Sequence, residues 1–387
     1  MDILQVPHLI LKYIISHLDT VDKICFVISS KRWYEERSSY LTLPIDDMMR
    51  NPSDFNRCYI FMKSFLEQMH ITERKKIIDP YYDIDQLSQL IKGISNTVTH
   101  LRFGPNFNDI IPPNLIPNHI THLHFGYDFN QELKLNLIPS SCVFLQFGHE
   151  FNSKIQIGAI PESVTKLIFG YDFNQKLQPG MIPIGVKYLK FGDHFVQGLE
   201  LGTLPQTITH LEFGYFYNGF IKKNILPSGL THLTFGGYYN QSLPKGRENL
   251  RDLIPSSTHT LELGAYFNSF TTKSLLSTIK YLRFTEDNEM GYTKVVPKGF
   301  LLSSIDTLCV PTQFFQHNSL ETISSHIKNI IIEKDGEALH IRLLSKDYAL
   351  ALTKNVIGGF ISTKQLNQLV NADIMTIVKK INAKLFK

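Results

Sequence analysis

A Leu-x-Phe-Gly string returns at a fixed interval through the middle of the chain, and that period constrains the fold more than any other feature. It starts at Leu101, Leu123, Leu145, Leu167, Leu189, Leu211 and Leu233, six consecutive spacings of 22 residues. Leu261 is delayed by a six-residue insertion around residues 245–250, and Leu282 follows after 21 residues. The segments beginning Ile305-Asp-Thr-Leu308 and Ile327-Lys-Asn-Ile330 repeat the strand pattern, which brings the count to about eleven units. A unit of this length cannot bury its own apolar side and must stack on its neighbours. The expected fold is therefore an α/β repeat solenoid, similar to the leucine-rich class, with a parallel sheet along one face.

Each column of the repeat has a physical reading. Val98, Leu101 and Phe103, like Ile120, Leu123 and Phe125, alternate with polar residues as a short strand with one buried face does. A glycine follows each strand, from Gly104 to Gly264, where the chain needs either positive φ or close backbone approach. An Asn follows an aromatic at Asn108, Asn130, Asn152, Asn174, Asn218, Asn240 and Asn268, interrupted only by Val196. Repeated burial of one Asn per turn implies a ladder in which the amides satisfy turn backbone groups. Pro117, Pro139, Pro161, Pro183, Pro205, Pro227 and Pro255 close the units, since Pro ends any incipient helix and returns the chain to the next strand.

The motif Leu-x-Phe-Gly-x-x-Phe-Asn followed by Ile-Pro resembles the FNIP repeat, a leucine-rich-like unit of amoebae and of giant viruses that infect them. The resemblance is carried by residues 94–277. Ahead of it, residues 6–34 read VPHLILKYIISHLDTVDKICFVISSKRWY. Val6-Pro7, Ile14-Ile15, Leu18-Asp19, Asp22 and Lys31-Arg32-Trp33 match the pattern of an F-box in register. Ile10, Leu11, Ile14, Ile15 and Leu18 also give the first helix an apolar arc wider than one packing face requires. The F-box resemblance implies docking onto the Skp-type adaptor of a cullin ubiquitin ligase, with Val6, Pro7, Ile14 and Leu18 as the adaptor-binding residues.

The expected organisation is an F-box-like helical domain at 1–45, a helical linker and N-terminal cap at 46–93, FNIP repeats at 94–277 and degenerate repeats at 278–334. A C-terminal cap at 335–387 carries an amphipathic helix through Ile374, Ile377, Val378, Ile381 and Leu385. The net charge of +4 names no partner, and the four cysteines form no CxxC pair, which fits a reducing compartment. No signal-like start and no long apolar run is present, so the expectation is a cytoplasmic protein, in the host cytoplasm if viral, with no membrane partner.

No phosphate loop, nucleophile elbow or HExxH motif occurs, so an enzyme is not expected and no cofactor is implied. The column His100, His122, His210 and His232, with His124 beside it, reads as solvated strand positions and not as a metal site, because Phe144, Lys166 and Tyr188 interrupt it. The outward strand positions offer a target-binding face: His122, His124, Phe144, Gln146, Lys166, Ile168, Tyr188, Lys190, His210 and Glu212. Mixed aromatic, apolar and cationic groups suit protein recognition. The sequence thus predicts a non-enzymatic substrate receptor that holds an unknown target protein on its repeats and recruits a ligase through the F-box. The alternatives are a repeat protein that binds a target without a ligase, and, less favoured by the charge, a nucleic-acid binder; no nucleic-acid partner is expected.

Overall fold

The computed structural model describes residues 81–241, 253–268, 275–286, 293–297, 299–318, 327–334, 337–344, 348–353 and 358–362. The chain divides into two compact units, residues 78–330 and a second made of 1–77 with 331–387. The F-box-like segment, including Val6, Pro7, Ile14 and Leu18, and the terminal helix expected through Ile374 and Leu385 lie outside the described residues.

The unit at 78–330 is the predicted solenoid. Its strands are β1 (Tyr81–Ile84), β2 (His100–Phe103), β3 (His122–His124), β4 (Phe144–Gln146), β5 (Lys166–Ile168) and β6 (Tyr188–Lys190), followed by β7 (His210–Glu212), β8 (His232–Thr234), β9 (Thr260–Leu263), β10 (Tyr281–Phe284) and β11 (Thr307–Pro311). Each pairs in parallel with the strand of the next coil, so that Leu101, Leu123, Leu145, Leu167, Leu189, Leu211, Leu233 and Leu261 lie in one register column. The insertion after Leu233 lengthens one coil without shifting its strand: His232 pairs with Thr260 as His210 pairs with His232. The amides of Lys328 and Asn329 donate to the carbonyl of Asp306, carrying the ladder onto β12 (Asn329–Lys334). Among the described residues the helices are short, α1 at Leu87–Ile91 and α2 at Phe314–His317.

Two boundaries differ from the sequence reading. The helical linker and cap assigned to 46–93 gives way at its end to β1, whose Ile84 is fully buried and pairs with Phe103. Tyr-x-Ile stands there for Leu-x-Phe, and Asp85 stands where later coils have glycine, so the motif is absent although the strand is formed. In the second unit, the helical cap assigned to 335–387 is strand over much of its first half: β13 (Glu337–Leu343), β14 (Tyr348–Thr353) and β15 (Gly358–Ser362) form an antiparallel meander. Leu339 and Ile341 are buried to either side of the half-buried His340, the period-two pattern of a strand, while Ala349, Leu350 and Ala351 are buried in a continuous run.

The solenoid interior is a double file of rings. Phe103, Phe125, Phe147, Phe169, Phe191, Phe213 and Phe235 stack from coil to coil at centroid distances of 5.2 to 5.9 Å. A second file runs Phe107, Phe129, Phe151, Phe173, Phe195, Tyr217 and Tyr239, and each ring also touches the first file within its own coil, as Phe169 touches Phe173 at 3.9 Å. Each buried ring contributes roughly 1.5–3 kcal/mol by removal of apolar area from water.

The glycine column exists for close approach. A Cβ at Gly148 would stand 1.6 Å from the carbonyl oxygen of Gly126, and one at Gly170 would stand 1.6 Å from that of Gly148. Positive φ belongs to a different column that the sequence reading missed: Asn114, Asn136, Gly158, Gly180, Gly202 and Asn224, again 22 residues apart. Asn and Gly are the residues that enter the left-handed region at least cost, and their alternation at one fixed phase was the available signal.

The Asn ladder forms, but at the surface. Asn108 Oδ1 accepts the amide of Asn130 at 2.9 Å, and the same bond recurs from Asn152 to Asn130 and from Asn174 to Asn152. The next residue adds a second rung: Gln131 Nε2 and Gln175 Nε2 donate to the carbonyl and side chain of the preceding Asn, and Ser153 Oγ does the same. Asn108, Asn130, Asn218, Asn240 and Asn268 are exposed and Asn152 and Asn174 half-buried, which corrects the expectation of buried amides. The buried part of the motif is the aromatic before the Asn.

Candidate functional site

Along each strand the central Leu points inward and the two flanking residues point to the opposite face, which makes that face a grid of two columns. One column is His100, His122, Phe144, Lys166, Tyr188, His210 and His232; the other is Arg102, His124, Gln146, Ile168, Lys190, Glu212 and Thr234. All ten residues expected on the target-binding face lie on this grid. Most are half-buried by their neighbours, with Lys190 exposed.

Side chains in the first column pack on one another. His100 stacks on His122 at 4.0 Å, and Phe144 lies 5.6 Å from His122 and 4.7 Å from His124. Lys166 Nζ sits 5.7 Å from the Phe144 ring and 4.4 Å from the Tyr188 ring, a cation held between two π faces. Tyr188 donates its hydroxyl to Glu212 Oε1, and Lys190 pairs with Glu212 Oε2 at 3.2 Å. His210 stacks on His232 at 3.9 Å. At the two ends of the face Arg102 forms a forked pair with Asp83 at 2.7 and 3.0 Å, and Arg283 pairs with Glu262 at 3.0 Å.

The imidazoles are neutral at pH 7 for identifiable reasons. Burial pushes His124 down to about 4, helped by the charges of His122, Arg102 and His100, and pushes His232 down to about 4, helped by His210 and His259. His100, His122 and His210 are lowered as well, by burial first. The Thr preceding His122, His210 and His232 fixes the tautomer. Thr231 Oγ1 donates to the carbonyl of Thr209 at 2.9 Å, and Thr121 and Thr209 make the same bond to the coil before. A hydroxyl has one proton, so at 2.9 Å it is His122, His210 and His232 Nδ1–H that donates to the Thr oxygen, leaving Nε2 as an acceptor.

Paired imidazoles do not make a metal centre here. The rings of His100 and His122 are within 13° of parallel and those of His210 and His232 within 12°. Their lone pairs run side by side and do not converge on one point about 2.1 Å from both. Among the described residues no group of three or more potential ligands gathers. Burial also pushes the Cys142 thiol up to about 12, which makes it an inert core side chain and not a nucleophile.

One ionic group on the face makes no ion pair among the described residues. No carboxylate of the described residues pairs with Lys166, and burial lowers its pKa against the opposing pull of Glu212. With Phe144, Ile168 and Tyr188 around it, Lys166 forms an amphipathic centre flanked by neutral imidazoles.

The sequence reading passed over a second surface. The residue after each glycine and the one following it form the turn that leaves the strand, and Tyr127, His149, Tyr171, His194, Phe216 and Tyr238 make a continuous row of rings there. An open groove of about 690 Å³ lies against this turn, lined by Asn130, Glu150, Asn152, Asp172, Asn174, His194, Val196 and Phe216. Because the row crosses from one column to the adjacent one between Tyr171 and His194, and shares them with acids, no single sequence column announced it.

The FNIP Repeat family model matches residues 88–128, 129–172, 173–216 and 217–246, and its two middle matches are each 44 residues long, two coils of 22. Among solved structures the chain is similar to one described as CroV588, a novel circular LRR protein, at 32% identity and a TM-score of 0.49. That likeness covers 63% of this chain, which spans 32% of the other. The comparison with curated proteins gives no match. Among the described residues no helix is long and apolar enough to cross a membrane.

Proposed function

We infer that the chain is a non-enzymatic interaction protein that holds a target protein on the strand face of its FNIP-type solenoid, centred on Lys166. The observation that carries this reading is the Lys166 ammonium, without an ion pair among the described residues, between Phe144 and Tyr188, with Ile168 beside it. Aromatic anchors next to a desolvated charge are the typical makings of an interface hot spot, and the neutral imidazoles around them can be covered without the cost of burying further charge. A partner that sets a carboxylate over Lys166 and apolar groups over Phe144 and Ile168 satisfies all three.

The finer part of the proposal rests on residues 6–34. Their F-box pattern supports recruitment of a Skp-type adaptor, and through it a cullin ubiquitin ligase, which would make the chain a substrate receptor. Affinity purification of the full-length protein from amoebal cytosol tests both arms. Leu18→Arg should lose adaptor and cullin while retaining the target, because a charge forced into an apolar contact is not tolerated. Phe144→Ala with Tyr188→Ala should retain the adaptor and lose the target. Adaptor recovery unchanged by Leu18→Arg removes the ligase role and leaves a repeat protein that binds its target alone. Target recovery unchanged by the double variant removes the strand face as the binding site.

A further inference from the structure

The groove beside the strand-exit turns differs in kind from the strand face. Its walls are fixed by backbone bonds from coil to coil: the amides of Glu150, Asp172, His194 and Phe216 donate to the carbonyls of Tyr127, His149, Tyr171 and Asp193 at 2.9 to 3.0 Å. Rings at this turn therefore stand at the period of the solenoid without further support. Tyr127 and His149 stack at 4.4 Å and His149 and Tyr171 at 4.5 Å, yet Tyr127 remains 50% exposed and Tyr238 42%. A row of rings in which Tyr127, Tyr171, His194 and Tyr238 are exposed and His149 and Phe216 half-buried presents a large aromatic surface of the kind that marks an interaction site.

The polar groups of the groove point to one ligand chemistry. Asn130, Asn152 and Asn174 spend Oδ1 on the ladder, as acceptors for the amides of Asn152, Asn174 and Val196. All three residues line the groove, and their Nδ2 groups, which have no partner among the described residues, are donors suited to peptide carbonyls. Glu150 and Asp172 supply the only charges lining the groove, apart from any carried by His194. Asp172 holds His194 at 2.8 Å and His149 at 3.5 Å, which leaves Glu150 as the carboxylate without an ion-pair partner among the described residues. Val196, which breaks the Asn column, puts an apolar patch 47% exposed beside Phe216.

We propose that this groove binds an extended, Arg- or Lys-bearing segment of a partner protein. The Asn130, Asn152 and Asn174 amides would hold its carbonyls, Glu150 its cation, and the ring file its aliphatic stems. Main-chain recognition by a ladder of amides gives affinity without demanding a fixed sequence, while acids and rings select cationic side chains. The site lies apart from Lys166 and does not depend on the proposal made for the strand face.

Fluorescence anisotropy of the full-length protein with a labelled peptide of alternating Arg and Ala tests it, beside a Glu-Ala peptide and a neutral labelled oligosaccharide of similar length. The expected result is saturable binding of the Arg-Ala peptide alone, weakening with salt as exposed ion pairs do. Glu150→Gln with Phe216→Ala should weaken it by about tenfold or more, the equivalent of 1.4 kcal/mol, and Lys166→Ala should leave it unchanged. Glu150 is exposed, so Glu150→Gln alone preserves the fold and should still lower affinity severalfold. No saturable binding of the basic peptide, equal binding by the Glu150→Gln protein, or preference for the oligosaccharide overturns the proposal.

Discussion

The interior of the solenoid and its strand face are built from the same short strands, yet they follow opposite rules. Inside, Leu recurs at every coil from Leu101 to Leu261 and Phe at nearly every coil, since each ring rests on the ring of the coil before. On the face no residue occupies more than two consecutive positions of a column: His100 and His122 give way to Phe144, then Lys166, then Tyr188. An inward side chain must fit two neighbours of fixed shape, whereas an outward one needs only a local partner, such as Glu212 for Lys190. The repeated positions hold the coil together and the varied ones are free to recognise something.

The largest effect that separates the two regions should come from the glycine column. Gly170→Ala would drive a methyl group into the Gly148 carbonyl oxygen, 1.6 Å from the ideal Cβ position. Neither backbone can yield without breaking the ladder on both sides, so a loss of about 3 kcal/mol or more is expected, at the upper end of overpacking costs. Gly180 provides the contrast: its φ is +88° and the only atom an added Cβ would meet is Ile157 Cγ2 at 3.4 Å. Gly180→Asn should be nearly neutral, because Asn114, Asn136 and Asn224 already hold that conformation in other coils. Thermal unfolding of both variants checks the pair, and equal losses would show that the two columns are not distinguished by contact and by φ.

A middle effect belongs to the Asn ladder. Asn152→Ala removes the acceptor for the Asn174 amide and one acceptor of Gln175 Nε2. The groups freed are part-exposed and water can reach them, so the loss should be about 0.5–1.5 kcal/mol, below the cost of orphaning a buried group. Val196 supplies the reverse experiment. It takes the place of an Asn, so the Asn218 amide lacks the acceptor that its counterparts have, and Val196→Asn should raise Tm by restoring it. A variant no more stable than the parent would mean that the ladder records the repeat's history and adds little to its stability.

Much of this fold was legible because stacking turns a one-dimensional period into a contact. A Leu or Phe at a fixed phase must meet its own copy, and the strand-face grid follows from alternation about that Leu. What escaped the reading escaped for physical reasons. β1 lacks the motif because Tyr82, in register with Leu101, is exposed, and only Ile84, in register with Phe103, is buried. The meander from Glu337 to Ser362 pairs antiparallel, so it obeys no 22-residue rule and its alternation is short. The ring row from Tyr127 to Tyr238 crosses between two columns, and contact between neighbouring coils, not identity within a column, makes it continuous.

The smallest effect is a dependence on pH that only the face should carry. His124 and His232 are held at about 4, below the ordinary imidazole value of 6.5. Above the unfolded value both states are neutral and the contribution to stability is complete. Between the two values the unfolded chain binds protons that the folded chain refuses, so stability falls as pH drops from about 6.5 towards 4 and levels off below that. Each ring keeps enough exposure for solvent to temper the penalty, so the decline should amount to a few degrees of Tm. His124→Gln with His232→Gln should make the decline shallower while leaving Tm near pH 7.5 about where it was, because neither ring belongs to the double file of the interior. Parallel Tm profiles for parent and variant across this range would mean that the imidazoles titrate freely, and that the strand face is more hydrated than its packing of rings implies.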